Sequence, residues 1–212
     1  MKVIENAKFA KRIWDEKIDK KAKEKFRECF HLRPTTDYIT IVSTHKEKYM
    51  NGLKVSKCNL EQGIVKCAEA LCNEEKLNEV NIKLRNGNTK SFPTTKRSNK
   101  EYTIQAKFIN EIVRQNVELK KAFDVVNLHL IGSEIILPGK NDKIDILAYG
   151  NTNENKYKLF FIEVKEANGD KKEEAFKQVK RYMKTYIENE NFIEFINNYP
   201  MLEENIDITK FE

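Results

Sequence analysis

Long apolar runs are absent from this sequence: none of its 212 residues lies in a stretch approaching the roughly 18 uninterrupted apolar residues of a membrane span. The segment MKVIENAKFAKRIWDEK has scattered charge and lacks the apolar core of a secretion signal, so we expect a cytoplasmic protein without a membrane partner. Internal repeats are also lacking. The composition, 40% hydrophobic and 34% charged, is that of a soluble globular protein with one sizeable domain, or a core with a smaller appended piece.

Cysteine is scarce, and the chain contains only Cys29, Cys58, Cys67 and Cys72. The lack of a secretion signal, and the place of Cys67 on the inner face of a predicted helix, favour reduced thiols over disulfides. A zinc site built from Cys29, His31 and two later cysteines is a weaker alternative, because the spacings match no closed Cys/His pattern. His45 and His129 are isolated in the sequence, and we expect them to be solvated or core residues.

Acidic residues are missing from one part of the chain. Residues 81–100, NIKLRNGNTKSFPTTKRSNK, contain six basic residues and no acid. The first 100 residues hold 23 Lys and Arg against 13 Asp and Glu, whereas the rest of the chain holds 16 against 20. A basic block of this kind suits a polyanion, so we predict that Lys96, Arg97 and Lys100 contact nucleic acid. The alternative is a solvated, lysine-rich loop.

A break in composition divides the chain near residue 95. The Asn-Gly pair, Pro93 and polar clusters between residues 86 and 100 predict a linker. We therefore distinguish residues 1–95, a basic and mainly helical region suited to substrate binding, from a core over residues 96–212. The elements predicted in the first region are a helix over 5–28, a strand over 37–44 and a helix over 60–77 that Asn59 caps.

The second region has a clearer order of elements. They are a helix over 101–123, a strand over 125–137 broken near Gly132, strands over 143–149 and 157–165, a helix over 170–188 and a final strand over 206–211. This α-β-β-β-α-β order predicts an α/β fold with a mixed sheet flanked by helices. Because both faces of the second and third strands are mostly apolar, we expect that hairpin in the middle of a sheet covered on both sides.

Two acidic residues interrupt these apolar strands. Asp145 lies in KIDILAYG, residues 143–150, and Glu163 and Lys165 share one face of KLFFIEVKEA, residues 158–167. A loop centred on residue 154 predicts the strand pairs Tyr149 with Leu159, Leu147 with Phe161, and Asp145 with Glu163. The two carboxylates would then lie side by side at one end of the hairpin.

Adjacent buried carboxylates repel each other and lose solvation unless a cation lies between them. Oxygen ligands in a partly hydrated site suit Mg²⁺ or Mn²⁺. Lys165 projects to the same side as Glu163. Two carboxylates, a divalent cation and a lysine suit phosphodiester hydrolysis, in which the lysine orients the attacking water or stabilises developing charge.

The flanking helices supply three further candidates. Glu111 shares a helical stripe with apolar residues, which makes it a candidate third acid, although a carboxylate at a stripe's edge is the alternative. Gln178 and Tyr182 lie one turn apart on the later helix. They are candidates for holding a phosphate and stacking on a base, and a core role for Tyr182 is the alternative.

Asp145, Glu163-x-Lys165 on the next strand and Gln178-x-x-x-Tyr182 on the following helix together resemble the PD-(D/E)XK nuclease superfamily. The likeness is to the RecB-like branch, which combines an ExK strand with a QxxxY helix, and it covers roughly residues 101–190. Ile144 stands where the proline of the family's name would be.

The resemblance implies a restriction-endonuclease-like core and a nuclease dependent on Mg²⁺ or Mn²⁺. The catalytic and metal-binding set that it implies is Asp145, Glu163, the backbone carbonyl of Val164, Lys165 as the catalytic lysine, and Glu111 as the acid of the first core helix. Gln178 and Tyr182 would support the site and contact DNA. The main interpretation is a DNA nuclease, acting alone or as a homodimer or larger complex. The alternatives are an RNA-cleaving enzyme and a nucleic-acid-binding or assembly module that has lost catalysis.

Overall fold

The computed structural model of the chain describes residues 2–44, 52–70, 80–83, 88–92, 100–136, 143–154, 156–165, 169–202 and 206. Its helices are α1 (Lys2–Lys17), α2 (Lys20–Cys29), α3 (Leu60–Glu69), α4 (Lys100–Val113), α5 (Val117–Phe123), α6 (Gly169–Glu188) and α7 (Glu190–Asn197). Its strands are β1 (Phe30–Pro34), β2 (Ile39–Ser43), β3 (Gly52–Val55), β4 (Asn81–Lys83), β5 (Thr89–Ser91), β6 (Asn127–Ile136), β7 (Lys143–Asn151) and β8 (Tyr157–Ile162). In this part of the chain, no helix has the length and apolarity needed to cross a membrane.

The strands form three small sheets, with the orders β1-β2-β3, β4-β5 and β6-β7-β8. This confirms the α/β class predicted from the sequence. Every strand pair among the described residues is antiparallel, so the predicted mixed sheet is not formed by these strands. The predicted final strand over residues 206–211 lies outside the described residues except for Ile206.

The β7–β8 hairpin has the register predicted for a loop centred on residue 154. Tyr149 pairs with Leu159, and Leu147 pairs with Phe161. The break predicted near Gly132 is also present, as a register shift between Leu130 and Gly132. A close approach explains the glycine: a Cβ at this position would lie 2.7 Å from the ring of Tyr199.

One prediction about the hairpin is wrong. Among the described strands β8 pairs only with β7, so β8 is an edge strand rather than a central one. Helices cover the apolar side chains on both faces of β8. Phe160 lies 4.6 Å from Phe123 of α5, and Phe161 lies 5.7 Å from Tyr186 of α6, both measured between ring centroids.

Two predicted long helices are each divided by a capping residue. The helix predicted over 5–28 is α1 and α2, because Asp19 accepts the backbone N–H of Ala22 at 2.9 Å and starts a new helix. The helix predicted over 101–123 is α4 and α5. Gln115 has a left-handed φ of 56°, and Asn116 then caps α5 by accepting the N–H of Leu119 at 3.0 Å.

Helices cover both faces of β7, which explains its nearly continuous apolar sequence. On one face Ile146 and Ala148 pack with Ile109 of α4. On the other face Leu147 packs with α6, α7 and the start of α1, in a cluster that includes Phe192. The β6-β7-β8 sheet therefore has helices packed on both of its faces.

The N-terminal region packs directly against the second region. Helix α1 takes part in two apolar clusters, one around Trp14 with β1–β3 and α3, and one with β6, β7 and α7. Between β1 and β6, His31 Nε2 lies 2.6 Å from the Ser133 hydroxyl, and Arg33 forms an ion pair with Glu134. The segment predicted as the linker lies mostly outside the described residues.

The cysteines correct one expectation and leave the zinc alternative without support. Cys29 is disulfide-bonded, so the prediction of reduced thiols is wrong for this residue, whereas Cys58 and Cys67 are free. Among the described residues, no three or more His, Cys, Asp or Glu side chains cluster as a metal site. His129 stacks on Tyr149 with ring centroids 4.9 Å apart, and His45 lies outside the described residues.

Candidate active site

The start of β7 and the segment after β8 are held together by Asp145. Its Oδ2 atom accepts the backbone N–H of Val164 at 2.8 Å. This bond continues the pairing of the hairpin past the end of β8, so it ties the segment that carries Glu163 and Lys165 to β7. The Gln105 amide of α4 donates to the carbonyl of Asp145 at 2.5 Å and joins the helix to the same point.

Glu163 is almost fully buried, with 4% of its side chain exposed, and two neighbours hold its carboxylate. Lys165 Nζ lies 2.7 Å from Oε1. The hydroxyl of Tyr182 lies 3.3 Å from Oε2 and also donates to the backbone carbonyl of Lys143 at 2.6 Å. The structure thus brings Asp145, Glu163 and Lys165 together, as the strand pattern predicts.

The environment raises the pKa of Asp145 from 3.8 to about 6. Burial is the largest cause, and the charges of Glu163 and Glu101 add to it. The Val164 N–H and the charge of Lys165 act in the opposite direction. Burial, with a smaller contribution from the neighbouring acids, therefore disfavours the charged form of this carboxyl group.

Lys165 keeps its positive charge in this cluster. Burial by itself would lower the pKa of the ammonium group, but the hydrogen bond and charge of Glu163, with the charges of Asp145 and Glu101, raise it overall. A lysine with a raised pKa is unsuited to act as a general base at neutral pH. Its chemistry is that of a fixed cation or hydrogen-bond donor.

The third acid of the cluster is Glu101 rather than Glu111. Glu101 lies in the first turn of α4 and interacts electrostatically with Asp145 and Lys165. Glu111 lies ten residues further on, roughly 15 Å along the helix axis. There its carboxylate accepts the Asn116 side-chain amide at 2.5 Å, so its role is at the junction of α4 and α5.

Glu101 was not predicted as a site residue, because the acid expected on α4 was one with apolar neighbours on the same helical stripe. The usable signal was the spacing between Glu101 and Gln105, which occupy successive turns on one side of the helix. The Gln105 side chain donates a hydrogen bond to the backbone carbonyl of Asp145, and the negative charge of Glu101 interacts with the carboxylate of Asp145. The pair of Glu101 and Gln105 at the start of α4 therefore indicates which end of the helix faces the hairpin.

Tyr182 supports the site from within the core. Only 1% of the residue is exposed, so the predicted direct contact of Tyr182 with nucleic acid is wrong, and its hydroxyl instead positions Glu163. Gln178 lies one turn earlier on α6. Its Oε1 atom is buried and makes no hydrogen bond in the described part of the chain.

A groove of about 520 Å³ between the end of β8 and α6 opens onto Glu163. Lys172, Phe176 and Val179 line it. Phe176 is 60% exposed, and Lys180 Nζ lies 4.5 Å from the centroid of its ring. An exposed aromatic face beside cationic side chains is suited to stack on an unpaired base.

The predicted nucleic-acid contacts of the basic block stay a prediction. Lys96 and Arg97 lie outside the described residues. Lys100 begins α4, but its side chain is outside the described part. Lys90 in β5 is described and exposed, which is compatible with a basic surface in this region.

The residues present fit a divalent cation of the Mg²⁺ type. No cluster of three metal-ligating side chains occurs in the described ranges, but Mg²⁺ is commonly bound through one or two carboxylates, with water and substrate phosphate completing its shell. Asp145 and Glu163 supply two carboxylates, and burial together with the charge of Glu163 raises the pKa of Asp145, which a bound cation would offset. The carbonyl of Val164 lies next to Glu163 in sequence.

Comparison with protein-family models, characterised proteins and solved structures gives no match to this chain. A functional assignment therefore rests on the residues of the site and their geometry.

Asp145→Asn is expected to stabilise the metal-free protein at neutral and alkaline pH. The pKa of Asp145 in the folded state, about 6, is above its ordinary value of 3.8, so the wild type loses stability as pH rises through this interval. Because the residue is partly solvated, we expect a gain of about 1 to 2 kcal/mol at pH 8 and little gain near pH 4. Asparagine keeps an oxygen that accepts from Val164.

Urea denaturation with chelator at several pH values measures this difference. Asp124→Asn is the matched control, because Asp124 lies at the other end of the hairpin and its side chain is 85% exposed. A parallel pH dependence of the wild type and Asp145→Asn would show that Asp145 is not destabilised by its surroundings.

Proposed function

We propose that the protein is a metal-dependent nuclease that hydrolyses phosphodiester bonds, with DNA as the favoured substrate. The observation that carries this proposal is the cluster of Asp145, Glu163 and Lys165, in which two carboxylates and a charged lysine meet at one end of a hairpin. The Val164 N–H needs only a neutral acceptor, so an acid with a raised pKa at this position, beside a second acid and a lysine, is more typical of a functional site than of a structural one.

Asp145, Glu163 and the carbonyl of Val164 are the residues that would hold Mg²⁺ or Mn²⁺. Such a cation supplies Lewis-acid polarisation of the phosphate and lowers the pKa of a bound water. Asp145 also fixes the strand geometry through the Val164 N–H, and Tyr182 fixes the orientation of Glu163.

Lys165 contributes the charge that stabilises the reacting phosphate. Its ammonium group is 2.7 Å from Glu163 and its side chain is 21% exposed, so it belongs to the cluster and is partly accessible to a ligand. When a phosphodiester is attacked, negative charge develops on the phosphoryl oxygens, and a fixed cation stabilises that charge more than it stabilises the ground state. The position of Lys165 suits this role or the orientation of the attacking water.

The substrate class follows from the charge of the N-terminal region and the shape of the groove. A positively charged first half of the chain favours a polyanion, and Phe176 offers a stacking surface next to Glu163. Both features suit DNA and RNA, so RNA cleavage is a second form of the same proposal. An inactive nucleic-acid-binding module is disfavoured by the intact set of Asp145, Glu163 and Lys165.

Incubation of the protein with plasmid, linear duplex DNA, single-stranded DNA and RNA tests the proposal. With Mg²⁺ or Mn²⁺ we expect shortened products from at least one DNA substrate, and with chelator we expect none, because the clustered carboxylates need the cation to bind a phosphate. The ends of the products distinguish endonuclease from exonuclease action. Binding without cleavage of any substrate under all these conditions would favour the inactive module.

A further inference from the structure

A polar cavity of about 200 Å³ lies between the N-terminal sheet and the β6–β7 pair, outside the cluster described above. Strands β1, β2 and β3, the first turn of α4, and strands β6 and β7 contribute to its walls. The side chains that matter for its chemistry are those of Arg33, Tyr38, Lys54, Tyr102, Glu134 and Lys143. Three of these six are cationic, and only one is acidic.

Glu134 has an unusual conformation that serves this cavity. Its φ of 46° lies in the left-handed region, which is unfavourable for a residue with a long side chain, and the residue is 6% exposed. The carboxylate forms an ion pair with Arg33 and accepts the Tyr102 hydroxyl at 3.1 Å. Backbone strain of this kind is enriched at ligand-binding and active sites. In this cavity the group that is held is the Arg33 guanidinium.

The cationic side chains of the cavity have hydrogen-bond donors and charge available for a ligand. Arg33 donates to Glu134 and makes no other hydrogen bond within the described residues, although a guanidinium carries five N–H donors. Lys54 and Lys143 are both exposed, and neither has a carboxylate partner in that part of the chain. Lys54 Nζ lies 4.5 Å from the centroid of the Tyr38 ring, which keeps its charge at the cavity.

The cavity adjoins Asp145 along the sheet. Ser133 pairs with Ile146 and Ile135 pairs with Ile144, so Glu134 falls opposite Asp145 in the register of β6 and β7. Lys143 lies two residues before Asp145 on the same strand, a separation of roughly 7 Å. A chain of phosphates that places one phosphate at Asp145 therefore brings an adjacent one within reach of Lys143.

We propose that this cavity is a subsite for a backbone phosphate of the bound nucleic acid, at a position next to the phosphate that is cleaved. Arg33 and the ammonium groups of Lys54 and Lys143 bind the phosphate oxygens, and Glu134 and Tyr102 position the guanidinium. The inference rests on the proposed function, and it gives the N-terminal sheet a defined part in substrate binding. The occupant is a phosphodiester within a strand, because Lys143 at the cavity wall lies two residues from Asp145 on the same strand.

Binding of a short, fluorescent single-stranded DNA, measured by anisotropy in the presence of chelator at several salt concentrations, tests the subsite without requiring cleavage. For Lys54→Gln with Lys143→Gln we expect weaker binding and a log–log salt slope smaller by about 0.7 for each lysine–phosphate interaction that the substitutions remove. Lys158→Gln is the matched control, since Lys158 lies at the other end of the hairpin and pairs with Asp124. Circular dichroism verifies that the exposed substitutions leave the fold unchanged.

Oligonucleotides in which a single phosphate is replaced by an uncharged linkage then show whether the two lysines bind one particular phosphate. In a series of oligonucleotides, each carries a single methylphosphonate at a different position. We expect one position at which the substitution weakens binding to the wild type but not to the double variant, because the missing phosphate charge and the missing lysines act on the same interaction. Equal reductions in affinity for the two proteins at every position, or an unchanged salt slope, would overturn the subsite.

These outcomes are separable from those of the proposed function. If the wild type cleaves DNA with metal but the double variant binds as the wild type does, the subsite is wrong and the nuclease proposal stands. A second outcome is that no substrate is cleaved, but the methylphosphonate at that one position weakens binding to the wild type and not to the double variant. The subsite then stands and the catalytic proposal fails.

Discussion

Asp145→Asn and Glu163→Gln are each expected to abolish metal-dependent cleavage while the fold stays intact. Each change removes one carboxylate charge and keeps the shape of the side chain. Asparagine retains an oxygen for the Val164 N–H, and glutamine retains one for the Tyr182 hydroxyl. Loss of one of the two charges leaves a single carboxylate to hold Mg²⁺. The cation then binds weakly, and hydrolysis loses its Lewis acid.

Cleavage assays and Mn²⁺ titration by calorimetry measure the two consequences. We expect no product above background from either variant, weaker Mn²⁺ binding, and DNA binding close to that of the wild type. Asp124→Asn and Glu188→Gln are the matched controls, because both remove a carboxylate that is exposed and distant from the cluster. Cleavage by Asp145→Asn at the wild-type rate with Mg²⁺ would place the active site elsewhere and end the nuclease proposal.

Lys165→Ala is expected to separate metal binding from catalysis. Lysine is not a metal ligand, and removing its ammonium group leaves the negative charge of Asp145 and Glu163 in place, so Mn²⁺ affinity should be retained. Turnover should fall by about 100-fold or more, since a fixed cation that stabilises the transition state contributes an effect of this size. The change should appear in kcat rather than in KM, because the interaction that is removed strengthens during the reaction.

Single-turnover cleavage, run beside Mn²⁺ calorimetry, measures both quantities for Lys165→Ala. Lys158→Ala is the control, since it removes a lysine from the same hairpin at its far end. Lys165→Arg is informative as well, because it keeps the charge but alters its position, and partial activity would support an electrostatic role. Loss of Mn²⁺ binding in Lys165→Ala, with cleavage and metal binding falling together, would contradict the role assigned to this residue.

The strand pattern was sufficient to predict the hairpin and the two residues brought together at its end. The polar break around residue 154 predicts the turn, and in an antiparallel hairpin the centre of the turn decides which residues lie opposite each other. For this reason the pairing of Tyr149 with Leu159 and of Leu147 with Phe161 was predictable. Asp145 and Glu163 were then the next residues on the same face.

The helix boundaries were less predictable because local hydrogen bonds decided them. Asp19 and Asn116 each divide a segment whose apolar spacing continues through the break. Such side chains offer the backbone an alternative to helix continuation, and apolar periodicity does not report which of the two is lower in energy. The edge position of β8 among the described strands was not predicted either, since apolar faces indicate that a strand is covered but not whether a further strand pairs with it.

By itself, the sequence determined the apolar strands, their register and the local set of Asp145, Glu163 and Lys165, because neighbouring residues, side-chain alternation and the position of the turn specify these. Only the tertiary structure decided that Glu101 rather than Glu111 faces the cluster, since this depends on which end of α4 meets the hairpin. It alone brought Arg33 to Glu134, which are 101 residues apart in the chain. Contacts of this range depend on how the elements pack, and no periodicity within a single element encodes them.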